Sequence, residues 1–423
     1  MLHCLTSLIA SGLIVCLGTI VSAQDRRAPS GEGAPSAPAP QPQVPARDDG
    51  RAQYPTFLSN SFASLNVGYL GYRFSDLQLE PGHQVDSIHV PHVAVRAMLF
   101  GRHFGKYLSA QASYMRPVRY VKYRNVDGRG ITGSVWMHFG TVTLQSHIPI
   151  TGRVSVYGEG GLAITNRSGF EIDETRAVDD AHFTSPLLGA GFEYRVNGTW
   201  DAVAGATYIR PAAEHRQPHT LFVSTGFRYN LRPLPTKRVE ETRKAGFIFP
   251  ENLVQVGYTT NALGYSVNNF VSKTIPIFWG GNVEVRRSVF AIQYSRNVFH
   301  TRKVFALDLG ASFAQWTSSR NGETFRTLSA YSLLRFTVLR SRPTDLYVSY
   351  SVAGPSYISR DVIDDLDTGS RFTFQDFMAV GVFIGERKHI NAEVALNHYS
   401  NGNIQSENAG VKIPLTFKLG YAF

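Results

Sequence analysis

The chain repeatedly alternates apolar residues with small or polar ones, and this alternation limits its fold more than any other feature. Near residue 221 one face carries Leu221, Val223, Phe227, Tyr229 and Leu231, and the other carries Ser224, Gly226, Arg228 and Asn230. Side chains of a β-strand point alternately to its two sides, so a period of two predicts strands with one apolar face. Beyond the N-terminus, no stretch approaches the roughly 18 consecutive apolar residues that indicate a transmembrane helix.

Sixteen such runs form two sets of eight. The first set begins near residues 63, 87, 107, 131, 153, 183, 200 and 219, and the second near 252, 281, 303, 324, 344, 371, 388 and 410. Between the sets, the basic segment 232–249 contains two prolines and indicates a linker. We therefore predict one domain at 57–231 and another at 250–423.

The connections of the second set are alternately short and long. Residues 300–303, 340–345 and 385–388 form short turns, whereas 359–370 form a long loop. Outer-membrane barrels keep short turns in the periplasm and long loops outside. The last run ends in Leu419, Tyr421 and Phe423, and a terminal aromatic residue is common in barrels that the barrel-assembly machinery inserts.

We predict an all-β protein with two eight-stranded antiparallel transmembrane β-barrels in one chain. One sixteen-stranded barrel is the alternative, because both arrangements fit the length. A pair of soluble β-sandwiches also alternates, but it explains neither the paired connections nor the terminal aromatic residue.

The N-terminus predicts export. Residues 1–23 contain no Asp, Glu, Lys or Arg and end in Val21-Ser22-Ala23, a small-x-small cleavage pattern typical of a signal peptide. Residues 24–56 are rich in Pro and Ala and predict a disordered tether. Both cysteines, Cys4 and Cys16, precede the cleavage site, so the mature protein has no thiol and no disulfide. We expect it in the bacterial outer membrane.

The net charge of +10 suggests an anionic partner. For an exported protein, anionic lipid or glycolipid is a better candidate than nucleic acid. We expect no nucleic-acid partner, no cofactor and no metal, because the sequence shows no zinc-type Cys/His spacing and no phosphate-binding loop.

The seventh run of the second set ends in His398-Tyr399-Ser400-Asn401. By parity, His398 and Ser400 continue the apolar, lipid-facing side of this strand. Alternate residues lie about 6.6 Å apart along a strand and point the same way, so the imidazole can reach the serine oxygen. Odd runs travel outward, which places the pair near the outer leaflet. It is either a base and nucleophile or an interfacial polar pair.

The stretch His398-Tyr399-Ser400-Asn401, followed by Asn408-Ala409-Gly410 and a final strand, resembles the lipid A 3-O-deacylase family. Residues 372–377 and the following "MAVGVFIG" are similar to the sixth strand of that family. The resemblance covers about residues 250–423 and is densest over 371–423. It implies an eight-stranded outer-membrane barrel with a Ser/His/acid hydrolase site on its outer face. Residues 57–231 resemble only small outer-membrane β-barrels in general.

The resemblance implies that Ser400 is the nucleophile and His398 the general base. It also implies that Asn401 and Asn408 contact the oxyanion or the substrate. The family's acid position is occupied here by Lys412, whose charge opposes that role. Glu407 is the nearest carboxylate in the loop and is the expected substitute. Pro414 predicts a bulge in the last strand.

Three functions follow from these features. The first is an outer-membrane ester hydrolase that removes an ester-linked acyl chain from lipid A, with lipopolysaccharide and outer-membrane lipids as partners. The second is a non-catalytic barrel pair that is structural or binds glycolipid, and Lys412 favours it. The third is a sixteen-stranded pore, which the linker disfavours. We expect no catalytic site in the first barrel, because no His-x-Ser motif recurs there.

Overall fold

The computed structural model describes residues 50–274, 281–402, 404–405 and 407–423. The predicted signal peptide, 1–23, and most of the predicted tether lie outside the described residues. None of the helices in the described part of the chain is long and apolar enough to cross a membrane. The described chain divides into two compact units.

The first unit contains residues 56–233, 402, 404–405 and 407–408 of the described chain. Its strands are β1 (Ser61–Tyr72), β2 (Ser87–His89), β3 (Val93–Phe104), β4 (Leu108–Pro117), β5 (Val121–Val126), β6 (Ile131–Pro149), β7 (Val154–Ser168), β8 (Phe170–Ile172), β9 (Thr175–Val178), β10 (Ala181–Arg195), β11 (Trp200–Ile209) and β12 (Thr220–Asn230). Eight of them pair antiparallel in the order β6-β4-β3-β1-β12-β11-β10-β7, and pairing of β6 with β7 closes the barrel. Strands β5 and β2 extend the sheet beyond β6, and β8 and β9 form a separate hairpin.

Polar and apolar sides are inverted in this barrel compared with a water-soluble one. Apolar side chains such as Val142, Leu144 and Leu188 are exposed on the outward face. The interior holds paired charges: Arg96 Nη2 lies 2.6 Å from Glu159 Oε1, and Arg228 binds Glu193. Eight strands leave an interior just wide enough for side chains, and buried charges are stable there only when paired.

The second unit contains residues 50–55, 234–274, 281–401 and 409–423 of the described chain. Its helices are α1 (Thr236–Lys244) and α2 (Ser266–Thr274). Its strands are β13 (Asn252–Thr259), β14 (Val283–His300), β15 (Phe305–Ser318), β16 (Thr324–Arg340), β17 (Thr344–Ile358), β18 (Val362–Ile363), β19 (Leu366–Asp367), β20 (Phe372–Ile384), β21 (Ile390–Ser400) and β22 (Val411–Ala422).

A second closed barrel has the order β13-β14-β15-β16-β17-β20-β21-β22. Strand β12 pairs with β1 and β11, whereas β13 pairs with β14 and β22. The prediction of two eight-stranded barrels is therefore confirmed, and the single sixteen-stranded barrel is excluded. Strands β18 and β19 form a small hairpin within the long loop between β17 and β20.

The barrel seam changes partners near the long-loop end. Strand β13 pairs antiparallel with β22 as far as Thr259 and Thr416. Beyond that point β14 takes its place and pairs with β22 in parallel, Val283 with Val411 and Glu284 with Lys412. Helix α2 belongs to the insertion that separates β13 from β14. The Asn268 side chain on this helix donates a 2.7 Å hydrogen bond from Nδ2 to the Ile413 carbonyl.

The interior of the second barrel is divided along its axis. At the long-loop end, a buried apolar cluster includes Trp316, Phe325 and Ile413, together with Ile363 from the loop hairpin. Toward the short turns the interior contains buried ion pairs, with Lys418 Nζ 2.9 Å from Glu393 Oε1, beside a smaller apolar cluster of Leu253, Tyr347, Phe383 and Ala422. The apolar cluster closes the long-loop end and positions the ends of β20, β21 and β22.

Candidate functional site

Strand β21 turns one row of side chains inward and the other outward. Asn391, Glu393, Ala395, Asn397 and Tyr399 are buried in the interior. The outward row is apolar from Ile390 to Leu396 and then continues with His398 and Ser400. The two candidate catalytic residues thus occupy consecutive outward positions at the long-loop end of the strand.

Tyr399, between them, holds the strand from the inside. Its hydroxyl lies 3.0 Å from Thr327 Oγ1, and Gln375 Nε2 donates to it at 3.1 Å. The side chain is 1% exposed. Because Tyr399 is fixed in the interior, the backbone that carries His398 and Ser400 is held as well. The sequence motif contains Tyr399, but its anchoring role depends on strands that are distant in the chain.

His398 lies directly opposite Asp376 of β20 on one side and Lys412 of β22 on the other. It is 1% exposed although it belongs to the outward row. Its Nδ1 atom lies 3.8 Å from Asp376 Oδ2. The structure therefore brings a carboxylate to the histidine from the neighbouring strand, which sequence reasoning missed.

A β-bulge holds the Asp376 carboxylate. Ser351 pairs with Phe377 and Gly354 with Gln375, so Val352 and Ala353 together oppose the single residue Asp376. Ala353 takes a positive φ of 51°, and its N–H donates a 2.7 Å hydrogen bond to Asp376 Oδ1. An extra residue in one strand leaves an amide outside the regular ladder, and here that amide binds the carboxylate.

The remaining predicted residues lie at the end of β21 and in the connection to β22. Asn401 is buried, and its Nδ2 donates a 3.0 Å hydrogen bond to the Thr368 carbonyl of the long loop. Ser400 and Asn408 are half-buried, and Glu407 is exposed. The side chain of Asn401 thus anchors the long loop beside the candidate nucleophile.

Lys412 is paired with another acid. Its Nζ lies 2.7 Å from Glu284 Oε1 and 4.8 Å from the centre of the Tyr265 ring. Its charge is therefore compensated on the β14 side of β22. Between Ile413 and Thr416 the register with β21 shifts, in agreement with the bulge predicted from Pro414.

A shallow groove of about 300 Å³ lies beside the bulge. Its lining includes Leu309, Ala330, Ser332, Ala353 and Pro355. Small side chains on adjacent strands leave this space, and Ala353 connects it to the Asp376 carboxylate.

A second Ser/His/acid set is buried inside the first barrel. Ser109 Oγ lies 2.8 Å from His147 Nε2, and His147 Nδ1 lies 3.1 Å from Glu193 Oε2. Ser109 is 0% exposed, so a substrate has no access to its hydroxyl. The three residues of this set lie on β4, β6 and β10, so they do not form a local sequence motif. In the described part of the chain, no cluster of three or more His, Cys, Asp or Glu is suited to a metal ion.

Both barrels match family models. Residues 75–232 match the OmpA-like transmembrane domain, and residues 289–421 match the lipid A 3-O-deacylase (PagL) family. The second match contains Asp376, His398, Ser400 and Lys412. It confirms the resemblance that the His-x-Ser-Asn motif predicts. No curated protein sequence matches this chain.

Solved structures of outer-membrane barrels are similar to parts of the chain. The outer membrane enzyme PagL is 17% identical over 41% of this chain and 98% of its own, with a TM-score of 0.28. Neisserial surface protein A is 14% identical over 41% and 97%, with a TM-score of 0.27. The N-terminal barrel of Pseudomonas aeruginosa OprF is 15% identical over 40% and 98%, with a TM-score of 0.26.

The two family matches and the two closed barrels together define the class of this protein. It is a bacterial outer-membrane protein whose first barrel is similar to the OmpA-like transmembrane domain and whose second is similar to the lipid A 3-O-deacylases.

Proposed function

We propose that the second barrel is an ester hydrolase that removes an ester-linked acyl chain from lipid A. The observation that supports this most is the outward position of His398 and Ser400, at the long-loop end of a barrel similar to the deacylases. Polar side chains on the lipid-facing side of a barrel are costly unless they are used or partnered. A substrate that is itself a membrane lipid reaches this position laterally.

The proposed reaction is acyl transfer through Ser400. Its Oγ attacks the ester carbonyl while His398 accepts the hydroxyl proton, and the carbonyl electron pair moves onto oxygen. The oxyanion is stabilised by N–H donors near Asn401 and Asn408. When the tetrahedral intermediate collapses, the bond between the acyl carbon and the sugar oxygen breaks. The sugar oxygen then takes the proton from His398. Water then attacks the acyl-enzyme with His398 as base, which releases the fatty acid and restores Ser400.

The groove beside the Ala353 bulge is a candidate site for the acyl chain. It lies on the outward face, and its lining is mostly apolar or small. An acyl chain that moves from the leaflet into such a groove stays in an apolar environment, so binding has little desolvation cost. Export of the precursor through residues 1–23 and a tether at 24–56 are parts of the same proposal.

The test compares lipid A from cells that carry the full-length protein, the Ser400→Ala variant or no protein. We expect mass spectrometry to show loss of one ester-linked acyl chain only with the wild type. Ser359→Ala, at a half-buried serine at the same end of the barrel, is the matched control and should retain activity. Both variants must show the heat-modifiable band of a folded barrel.

Identical lipid A in all these cells would support the non-catalytic alternative, in which the barrel pair is structural or binds glycolipid. Lys412 at the family's acid position favours that alternative. Its pairing with Glu284 weakens the objection, because the lysine charge is balanced away from the histidine.

A further inference from the structure

We propose that Asp376, and not Glu407, is the carboxylate that orients His398 and stabilises its protonated form. This inference rests on the proposed hydrolase function and assigns Asp376 as a positioning residue of that site, since it acts through the histidine. The structure supports it through strand register, the energetic cost of the position and the anchoring of the carboxylate.

Register places the two side chains together. Asp376 and His398 are directly paired across β20 and β21, and both belong to outward rows. Their separation of 3.8 Å, from Nδ1 to Oδ2, is longer than a hydrogen bond. Catalytic contacts are often long in unliganded enzymes and shorten when the substrate binds. With Nδ1 turned toward Asp376, Nε2 is the nitrogen that serves Ser400.

The position of Asp376 is costly. It is the one charged residue in the outward row of β20, a strand that the structure describes throughout, and Phe374 and Met378 are its neighbours in that row. A charged side chain on the lipid-facing side of a barrel is destabilising, most of all at mid-membrane and less near the interface. A carboxylate kept there beside a histidine is best explained by a role with that histidine.

The bulge prepares the carboxylate for this role. The Ala353 N–H holds Oδ1 at 2.7 Å, which leaves Oδ2 on the side of His398. A general acid–base histidine needs an orienting group that is itself held in place, and a backbone amide in a bulge is a rigid donor.

Among the described residues, the charged groups paired directly with His398 come from the two neighbouring strands. Asp376 faces it from β20, and Lys412 faces it from β22 while paired with Glu284 of β14 and stacked on Tyr265. Tyr350 of β17 pairs with Met378, the next outward residue of β20 after Asp376. Glu407 is the other carboxylate in question, and it is exposed in the connection between β21 and β22.

The first experiment compares full-length Asp376→Asn, Glu407→Gln and Asp361→Asn in lipid A deacylation, after each variant is shown to be folded. Asparagine keeps the acceptor for the Ala353 amide and replaces the carboxylate oxygen that faces His398 with an uncharged NH2 group. We expect Asp376→Asn to lower kcat about 10²–10⁴-fold with KM changed less than about twofold. Asp361→Asn, an exposed loop carboxylate at the same end, is the matched control and should keep full activity.

The pH profile separates positioning from a purely structural role. His398 must be neutral to act as a base, and a nearby carboxylate raises the pKa of an imidazole. Removal of that carboxylate should therefore move the acidic limb of kcat/KM to lower pH, and Asp376→Glu should restore part of the rate. Unchanged kcat and an unmoved limb in Asp376→Asn would overturn the proposal. The same changes in Glu407→Gln instead would assign the role to Glu407.

A second measurement does not depend on turnover. NMR of the histidine ring nitrogens in the full-length protein in detergent micelles, with His398→Gln to assign the signal, gives the tautomer of the neutral His398 ring. A proton on Nδ1 in the wild type that is lost in Asp376→Asn supports the coupling, and the same tautomer in both proteins overturns it. If the wild type and Ser400→Ala are both inactive on lipid A, the proposed function fails, and this measurement still decides the role of Asp376.

Discussion

Ser109 and Ser400 show that residue type and hydrogen bonding do not suffice to identify a nucleophile. Ser109 has a histidine nitrogen 2.8 Å from its hydroxyl, but it is fully enclosed in the first barrel. Ser400 is half-buried and faces outward. The two serines differ in their accessibility to substrate. A serine can act as a nucleophile only if an ester can reach its hydroxyl.

The first prediction concerns the buried serine. Ser109→Ala removes one internal hydrogen bond and should lower the free energy of unfolding by about 1 kcal/mol. Ester hydrolysis by the full chain should not change. Denaturant titration and lipid A deacylation assays measure the two effects. Ser87→Ala on an exposed strand is the control, with an expected change within about 0.5 kcal/mol. Loss of hydrolysis in Ser109→Ala alone would place a nucleophile in the first barrel.

The residues of the site differ in how far the sequence predicts them. His398 and Ser400 share a local motif, and period-two parity gives their side of the strand. Asp376 belongs to another strand, and its position opposite His398 depends on the register between β20 and β21. A single sequence carries no direct signal for that register. The sequence therefore suggests Glu407, the nearest carboxylate in the loop that follows the motif, whereas the fold brings Asp376 to the histidine.

At the scale of elements, alternation predicts strands well because it reflects the two sides of a barrel wall. The sixteen predicted runs correspond to the sixteen barrel strands, with starts that differ by a few residues. The run near residue 87 is the least accurate, since the barrel strand β3 begins at Val93 and a short strand precedes it. Helix α2 was not predicted, because its Asn268 hydrogen bond to β22 is a tertiary contact.

The second prediction concerns the seam that α2 covers. Asn268→Ala leaves the Ile413 carbonyl without the donor that it has in the folded protein. An unsatisfied buried acceptor costs about 1–3 kcal/mol. Here the substitution should lower the free energy of local opening near the long-loop end of the barrel.

Hydrogen exchange checks this effect. The amides of residues 411–413, 415 and 416 should exchange faster in Asn268→Ala, whereas amides of β15 and β16 should not change. Val267→Ala is the matched control, since Val267 is the exposed residue that precedes Asn268 on the same helix. Equal exchange in both variants would mean that the Asn268 bond does not stabilise the seam.

At the scale of the whole molecule, each barrel closes with its own strands. Within the described chain, β12 returns to β1 and β22 returns to β13. Domain boundaries at 231 and 250 remain predictions. They agree with the absence of ladder pairing between β12 and β13 among the described residues.

The third prediction concerns assembly. Phe423 follows β22, and its N–H and carbonyl both bond to Asn252 of β13 across the closing seam. Deletion of Phe423 should lower the yield of heat-modifiable folded protein several-fold, because the terminal aromatic residue is the expected signal to the barrel-assembly machinery. Phe372→Ala, at an exposed aromatic residue away from the seam, is the control. Equal yields from both variants would contradict the expectation.

The closure of β22 on β13 also bears on how such a chain travels. Before closure, each barrel strand is apolar at every second residue only, so the unfolded strands offer no long apolar segment that an inner membrane could retain. The lipid-compatible surface comes into being when the strands join and their outward rows line up. The surface that is compatible with lipid therefore forms only when the chain folds in the outer membrane, and the unfolded strands do not have it during transport.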